Sequence, residues 1–250
     1  MARPRFTGSL LSGRPLVAIS CDRRDAGPVA TVSGKVRHAR PEVFVGEPVV
    51  RRVREAGGIA VLLPPGDCPG AAQLLARVDA VIITGGAFDI HPAHYGQAVA
   101  ARLDRVDEER TGLELLLVKL AVEQNLPMLG LCGGMQAMVV ALGGTLLQHV
   151  EGHEQATDPT EPWHALHADP GAPVLLRDLV GNDSNSTHHQ AAGDLGRLYP
   201  LARAPDGIIE AVWLPGPSFC VGVQGHPELR DGRLFAALVQ AAAVERARRP

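Results

Sequence analysis

From Pro15 onward, short apolar runs alternate with helix-patterned stretches, and this alternation narrows the fold more than any other feature. Residues 16–20 read as a strand. Residues 48–56 read as a helix, with proline near the start and Gly57-Gly58 as its stop. Residues 59–63 form a second strand candidate, ended by Pro64-Pro65, and 71–77 a second helix. Residues 78–83 give a third strand that closes on Gly85-Gly86. Over 111–124, Leu113, Leu116, Leu117, Leu120 and Ala121 share one helical face, and residues 127–131 follow as a buried strand. Strand and helix in strict turn predict a parallel sheet with helices on both faces. Ligands bind such sheets beyond the carboxyl ends of the strands, where Gly85-Gly86 and Cys132 fall.

After Leu146 the pattern changes. Apolar runs at 174–176, 208–213 and 219–223 read as short strands of an antiparallel extension, and 149–167 as a long polar surface loop. A helix over 232–246 closes the chain. A chain of 250 residues can bury a full core, so a single domain is expected over 15–250. Residues 1–14, with Arg3, Arg5 and Arg14 among glycine and serine, lack a signal-peptide core and read as a disordered arm.

A net charge of −3 gives no basic excess for nucleic acid, and no apolar run is long enough for a membrane span. Cys21, Cys68, Cys132 and Cys220 sit at no metal-ligand spacing, and so few cysteines suit a reducing cytoplasm. The pairs His91/His94, His149/His153 and His164/His167 lack further ligands at recognisable spacing, so no metal is expected.

Gly130, Cys132 and Gly134 form G-x-C-x-G at a strand-to-helix junction, the thiol counterpart of the G-x-S-x-G nucleophile elbow. Such a turn needs glycine beside the nucleophile and sets the sulfur at a helix N-terminus, which favours the thiolate. A buried structural cysteine is the alternative. Far downstream, a strand-like run ends in His226-Pro227-Glu228. Proline favours an extended geometry for the residue before it, and in extended chain residues two apart face one side. The carboxylate is then placed to orient the imidazole, completing nucleophile, base and orienter.

These residues, with Gln136, resemble the class I glutamine amidotransferase superfamily, which carries G-x-C-x-G-x-Q and a later His-Pro-Glu. The chain is most similar to the γ-glutamyl-γ-aminobutyrate hydrolase group. Residues 83–89 with Tyr95-Gly96, the 143–146 glycine turn, the Asn185–Gln190 segment and Asp206–Glu210 carry that narrower likeness. The resemblance implies a flavodoxin-like fold and a Cys132–His226–Glu228 triad that needs no cofactor. It also implies an oxyanion hole at Gly85, Gly86 and Gly133, and glutamyl contacts from Gln136, Ser186, Thr187 and His188. The implied partner is a small γ-glutamyl substrate, and a homodimer fits a chain of this kind. A glutaminase subunit serving a separate synthetase, or a binding protein without turnover, would use the same motifs.

Two residues depart from the group. Gly133 stands where arginine is common and Gly225 where tryptophan is common. Both changes predict a more open or reshaped pocket and an unusual acyl donor or leaving amine. Asp89, Asp104, Asp107 and Arg110 are candidates for recognising a polar leaving group, or else for helix capping and surface charge.

Overall fold

The strict alternation of β-strand side chains builds two apolar layers. Val17 and Ile19 face one side of the first strand and Ala18 the other. Ala80 and Ile82 likewise oppose Val81 and Ile83. The computed structural model describes residues 13–26, 28–30, 36–38, 40–66, 68–216 and 219–249. Residues 1–12, most of the expected arm, lie outside these; Arg14 docks through its guanidinium on the carbonyls of Gly57 and Gly58.

The main sheet has eight strands: β1 (Leu16–Ser20), β2 (Ile59–Leu63), β3 (Ala80–Ile83), β4 (Met128–Leu131), β5 (His167–Ala168), β6 (Tyr199–Arg203), β7 (Ile209–Trp213) and β8 (Cys220–Val223). Their spatial order is β5-β6-β7-β8-β4-β3-β1-β2. From β2 to β8 the pairing is parallel, and from β8 outward to β5 it is antiparallel. The parallel part thus has the doubly wound flavodoxin-like order, with the expected antiparallel extension on one edge.

Helices cover both faces. On one, α2 (Cys68–Leu75), α3 (Glu108–Glu123) and α4 (Gly133–Ala141) pack on Val81, Ile83 and Met128. On the other, α1 (Glu47–Glu55) and α6 (Arg233–Arg248) pack on Val17, Ile19, Ile82 and Leu129. No helix among the described residues is long and apolar enough to cross a membrane.

Three expectations are corrected. Residues 219–223, expected in the antiparallel extension, give β8, which runs parallel to β4 and antiparallel only to β7. The strand before His226 therefore belongs to the parallel part. Residues 174–176 open a helix, α5 (Val174–Val180), rather than a strand. Pro173 precedes its first turn and Gly181, at φ 86°, ends it, while Val174 and Leu175 stay exposed. The stretch 149–167 is no simple surface loop. His153 is buried, Glu154 bridges to Thr187, and His164–Ala165 pairs with Asp183–Ser184.

Candidate active site

The carboxyl ends of β3, β4 and β8 meet at one point, and each delivers a chemical group there. After β4 the chain turns into α4 at Cys132, whose φ of 48° and ψ of −109° are strained for a side-chain-bearing residue. Its flanking glycines allow this. A Cβ on Gly134 would overlap the Ile83 carbonyl, and one on Gly130 would lie 2.8 Å from the Gly134 oxygen. Cys132 heads α4 without a capping side chain, so the first-turn N–H groups and the helix dipole face the sulfur.

After β8 the chain reaches His226, which precedes a single 3-10 turn, Pro227–Leu229. The sequence-based expectation was extended backbone. The tighter turn reaches the same end, with His226 Nδ1 2.8 Å from Glu228 Oε1. Burial opposes the imidazolium, but the Cys132 sulfur and the Glu228 carboxylate outweigh it and hold the His226 pKa well above the ordinary value. A Cβ added to Gly85 would sit 3.0 Å from Cys132 Cβ and 3.2 Å from His226 Cε1, so all three residues crowd together. Asn185 brackets the base: its Oδ1 accepts from His226 N–H at 2.8 Å and its Nδ2 donates to His226 O at 3.2 Å.

The Gly85-Gly86 loop is held from below by Arg110, a buried residue of α3. Arg110 donates to the Gly85 carbonyl at 2.9 Å and to Glu114 at 2.9 Å, lies 2.8 Å from Asp22, and stacks its guanidinium 4.0 Å from the Phe88 ring centroid. Arg110 therefore positions the loop rather than a leaving group. Asp107 caps α3 by accepting from Arg110 N–H, and buried Asp89 pairs with His189 at 3.0 Å. Of these four candidates, Asp104 keeps an exposed carboxylate facing the site.

A cleft of about 200 Å³ opens on Cys132, and Gly86, Gly133, Gln136, Thr187 and His188 are among its other walls. Gln136 is 5% exposed, and its Nε2 donates to the Gln190 carbonyl at 3.0 Å. Ser186 lies away from the cleft, because its buried hydroxyl donates to the His153 carbonyl at 2.6 Å. Gln224, which the sequence did not single out, donates to Cys132 Sγ at 3.6 Å. Its place two residues before His226 in an apolar strand was the available signal.

The two departures have different outcomes. The space over Gly225 is filled: a Cβ there would overlap Ser184 Oγ and lie 2.8 Å from the Asn185 carbonyl. The Cys132 cleft therefore does not open on that side; a separate cavity of about 320 Å³, without Cys132 or His226 in its walls, borders Gly225. Over Gly133, a Cβ would meet only Gly85 and Phe88 at an ordinary 3.8 Å, so the cleft wall is lowered there.

Residues 15–228 match the family described as Peptidase C26. A Mycobacterium tuberculosis protein named "putative glutamine amidotransferase" is 40% identical over 75% of this chain, which spans 64% of that relative's length. The γ-glutamyl-γ-aminobutyrate hydrolase PuuD of Escherichia coli is 30% identical, over 73% of this chain and 77% of its own. Among solved structures, the glutaminase domain of Trypanosoma brucei CTPS superposes with a TM-score of 0.60 at 14% identity, covering 92% of this chain and 94% of its own. A Thermotoga maritima glutamine amidotransferase gives 0.56 at 12% identity, covering 93% and 97%. At those identities the likeness shows the fold. The motif spacing, the sheet order and the sequence relatives agree, and the chain belongs to the Peptidase C26 family of class I glutamine amidotransferase-like hydrolases.

Proposed function

We propose that this hydrolase cleaves γ-glutamyl amides through a γ-glutamyl thioester on Cys132. The observation that carries the reading is a strained cysteine at a helix head, beside a histidine that a carboxylate orients. The thiolate attacks the γ-carbonyl carbon, and negative charge collects on its oxygen. N–H groups at Gly133 and the Gly85-Gly86 loop stabilise that oxyanion; such donors are typically worth about 3–4 kcal/mol. His226 gives its proton to the leaving nitrogen, and the C–N bond breaks. Water, deprotonated by His226, then attacks the thioester and releases glutamate and the free thiol. Glu228 holds the ring and stabilises its charged form.

The cleft also favours one class of leaving amine. Asp104 and Glu154 line it together with the Asp89–His189 pair, and among the described residues no lysine or arginine does. A cation-bearing amine fits this wall better than the carboxylate of γ-aminobutyrate. A second reading, a glutaminase serving a separate synthetase, is favoured by the name of the mycobacterial relative. One donor panel separates them: glutamine, γ-glutamyl-γ-aminobutyrate and a γ-glutamyl diamine, with wild type and Cys132→Ala. The reading expects wild-type glutamate release, fastest from the diamine amide, and a loss of about 10⁴-fold or more in the variant. Release from glutamine alone, or turnover that survives in Cys132→Ala, contradicts it.

A further inference from the structure

At the strand β7, away from Arg110 in the chain, a buried carboxylate is surrounded by imidazoles. Glu210, on β7, is 1% exposed, and His153 and His188 are 3% and 4% exposed. Glu210 Oε1 lies 3.1 Å from His153 Nδ1, 3.4 Å from His188 Nε2 and 3.5 Å from His164 Nε2. Despite these distances, neither Glu210 oxygen makes a hydrogen bond, and neither does His188 Nε2 or His164 Nε2. The nitrogens approach the oxygen off the axis an N–H would use.

The outer ring nitrogens explain why. His153 Nε2 faces Asp206 Oδ2 at 3.0 Å, and His188 Nδ1 faces the Gln190 carbonyl at 2.9 Å. Both partners accept, so the outer nitrogens carry the protons. In neutral rings the inward nitrogens then present lone pairs, that of His153 Nδ1 lying 3.5 Å from the Ser186 hydroxyl and those of His164 and His188 without a partner. Lone pairs converging beside a buried carboxylate repel unless a cation stands among them. A doubly protonated His153 between Glu210 and Asp206 is the other solution, and it leaves His164 Nε2 and His188 Nε2 without partners.

We propose that His153, His188 and Glu210, with His164 beside them, bind a divalent transition-metal ion of the zinc type. Ligand atoms of the first three lie within 4.8 Å of one another. With metal–ligand bonds of about 2.0–2.2 Å, neighbouring corners of a tetrahedron are about 3.4 Å apart, the spacing seen around Glu210 Oε1. Asp206 and the Gln190 carbonyl are the outer partners that metal-bound histidines use to fix their tautomer. Sequence spacing argued against a metal because it was sought in neighbouring pairs. The fold instead takes one histidine from each of two such pairs and joins them to His188 and Glu210. The ion would tie the 153–164 segment, the Asn185–Gln190 segment and β7 together. It would thereby brace Thr187 at the cleft and Asn185 against His226.

The test uses the full chain carrying Cys132→Ala, so that the elbow thiol cannot ligate. After chelator treatment and desalting, Co²⁺ is added and the visible spectrum recorded. The proposal expects intense tetrahedral d–d bands that saturate at about one equivalent and vanish on adding Zn²⁺. It also expects a higher thermal midpoint with Zn²⁺. Adding His153→Ala should abolish the bands. Should that variant not fold, Asp206→Asn, altered at an exposed outer partner, should weaken Co²⁺ affinity by about 10- to 100-fold. A protein with no bands and no midpoint shift overturns the proposal. So do bands that persist unchanged in a folded His153→Ala variant, because the ion then sits elsewhere.

Discussion

The nucleophile sits between two flanks built by different rules. On the β3 side, regular elements do the positioning. Arg110 and Glu114 are one helical turn apart on α3, and their pair, with Asp22, supports the Gly85-Gly86 loop from a rigid helix. On the β8 side the chain from 149 to 190 is mostly irregular, and single side chains hold it. Asn185 brackets His226, Ser186 holds the His153 carbonyl, and Gln155 Oε1 accepts from Ser186 N–H at 2.6 Å. The donors proposed for the oxyanion thus rest on repeating geometry, whereas His226 and the cleft wall rest on individually placed polar groups. Such a wall can change by point substitution without disturbing the sheet, which fits the filled space at Gly225.

Three substitutions would break or sharpen this contrast. The largest effect is expected at Glu228. Glu228→Gln keeps the shape but removes the charge that favours the imidazolium, so turnover should fall by about 10³- to 10⁴-fold. Because Glu228 helps to raise the His226 pKa, its loss lowers it. The alkaline limb of kcat/KM against pH, where the imidazolium loses its proton, should therefore move to lower pH. An unmoved limb would mean that Glu228 does not act on His226. Next, Arg110→Met leaves the buried Glu114 without its cation, while Asp22 keeps Arg105 at 2.7 Å, and should cost about 3–5 kcal/mol in urea unfolding. The double variant Arg110→Met/Glu114→Met should recover part of that loss; no recovery would refute the pairing as the cause. Smallest is Asn185→Ala on the irregular flank. It should cost about 1–2 kcal/mol, since it orphans the part-buried His226 N–H and leaves the His226 carbonyl with the Leu229 N–H alone. It should also lower kcat more than it raises KM. A pure KM effect would place Asn185 on the substrate instead.

Local, periodic information was legible in the sequence, and convergent information was not. The elbow at Cys132 and four of the five parallel strands follow from glycine placement and strand–helix alternation. The His226–Glu228 contact follows from their spacing, although a 3-10 turn makes it. The fifth parallel strand, β8, reads from sequence as part of the antiparallel extension because its parallel partner β4 lies far away in the chain. The Val174–Val180 helix was misread because its β-branched, apolar first turn looks like a strand, while Pro173 and Gly181 were the signals that marked it. Tyr199–Arg203 was missed because Pro200 argues against a strand interior, and its pairing with β7 is irregular there. The cluster at Glu210 draws on segments far apart in the chain and joined only by the fold. Arg110 lies just before the helix expected over 111–124 and inside the observed α3, and its role depends on β3 ending beside it.

The most direct test of the central claim is intact-mass spectrometry of the protein quenched in acid during turnover of a γ-glutamyl amide. The account predicts a γ-glutamyl adduct that maps to the peptide carrying Cys132 and is absent from Cys132→Ala. Glutamate release with no adduct at any quench time, or an adduct on another residue, would contradict it.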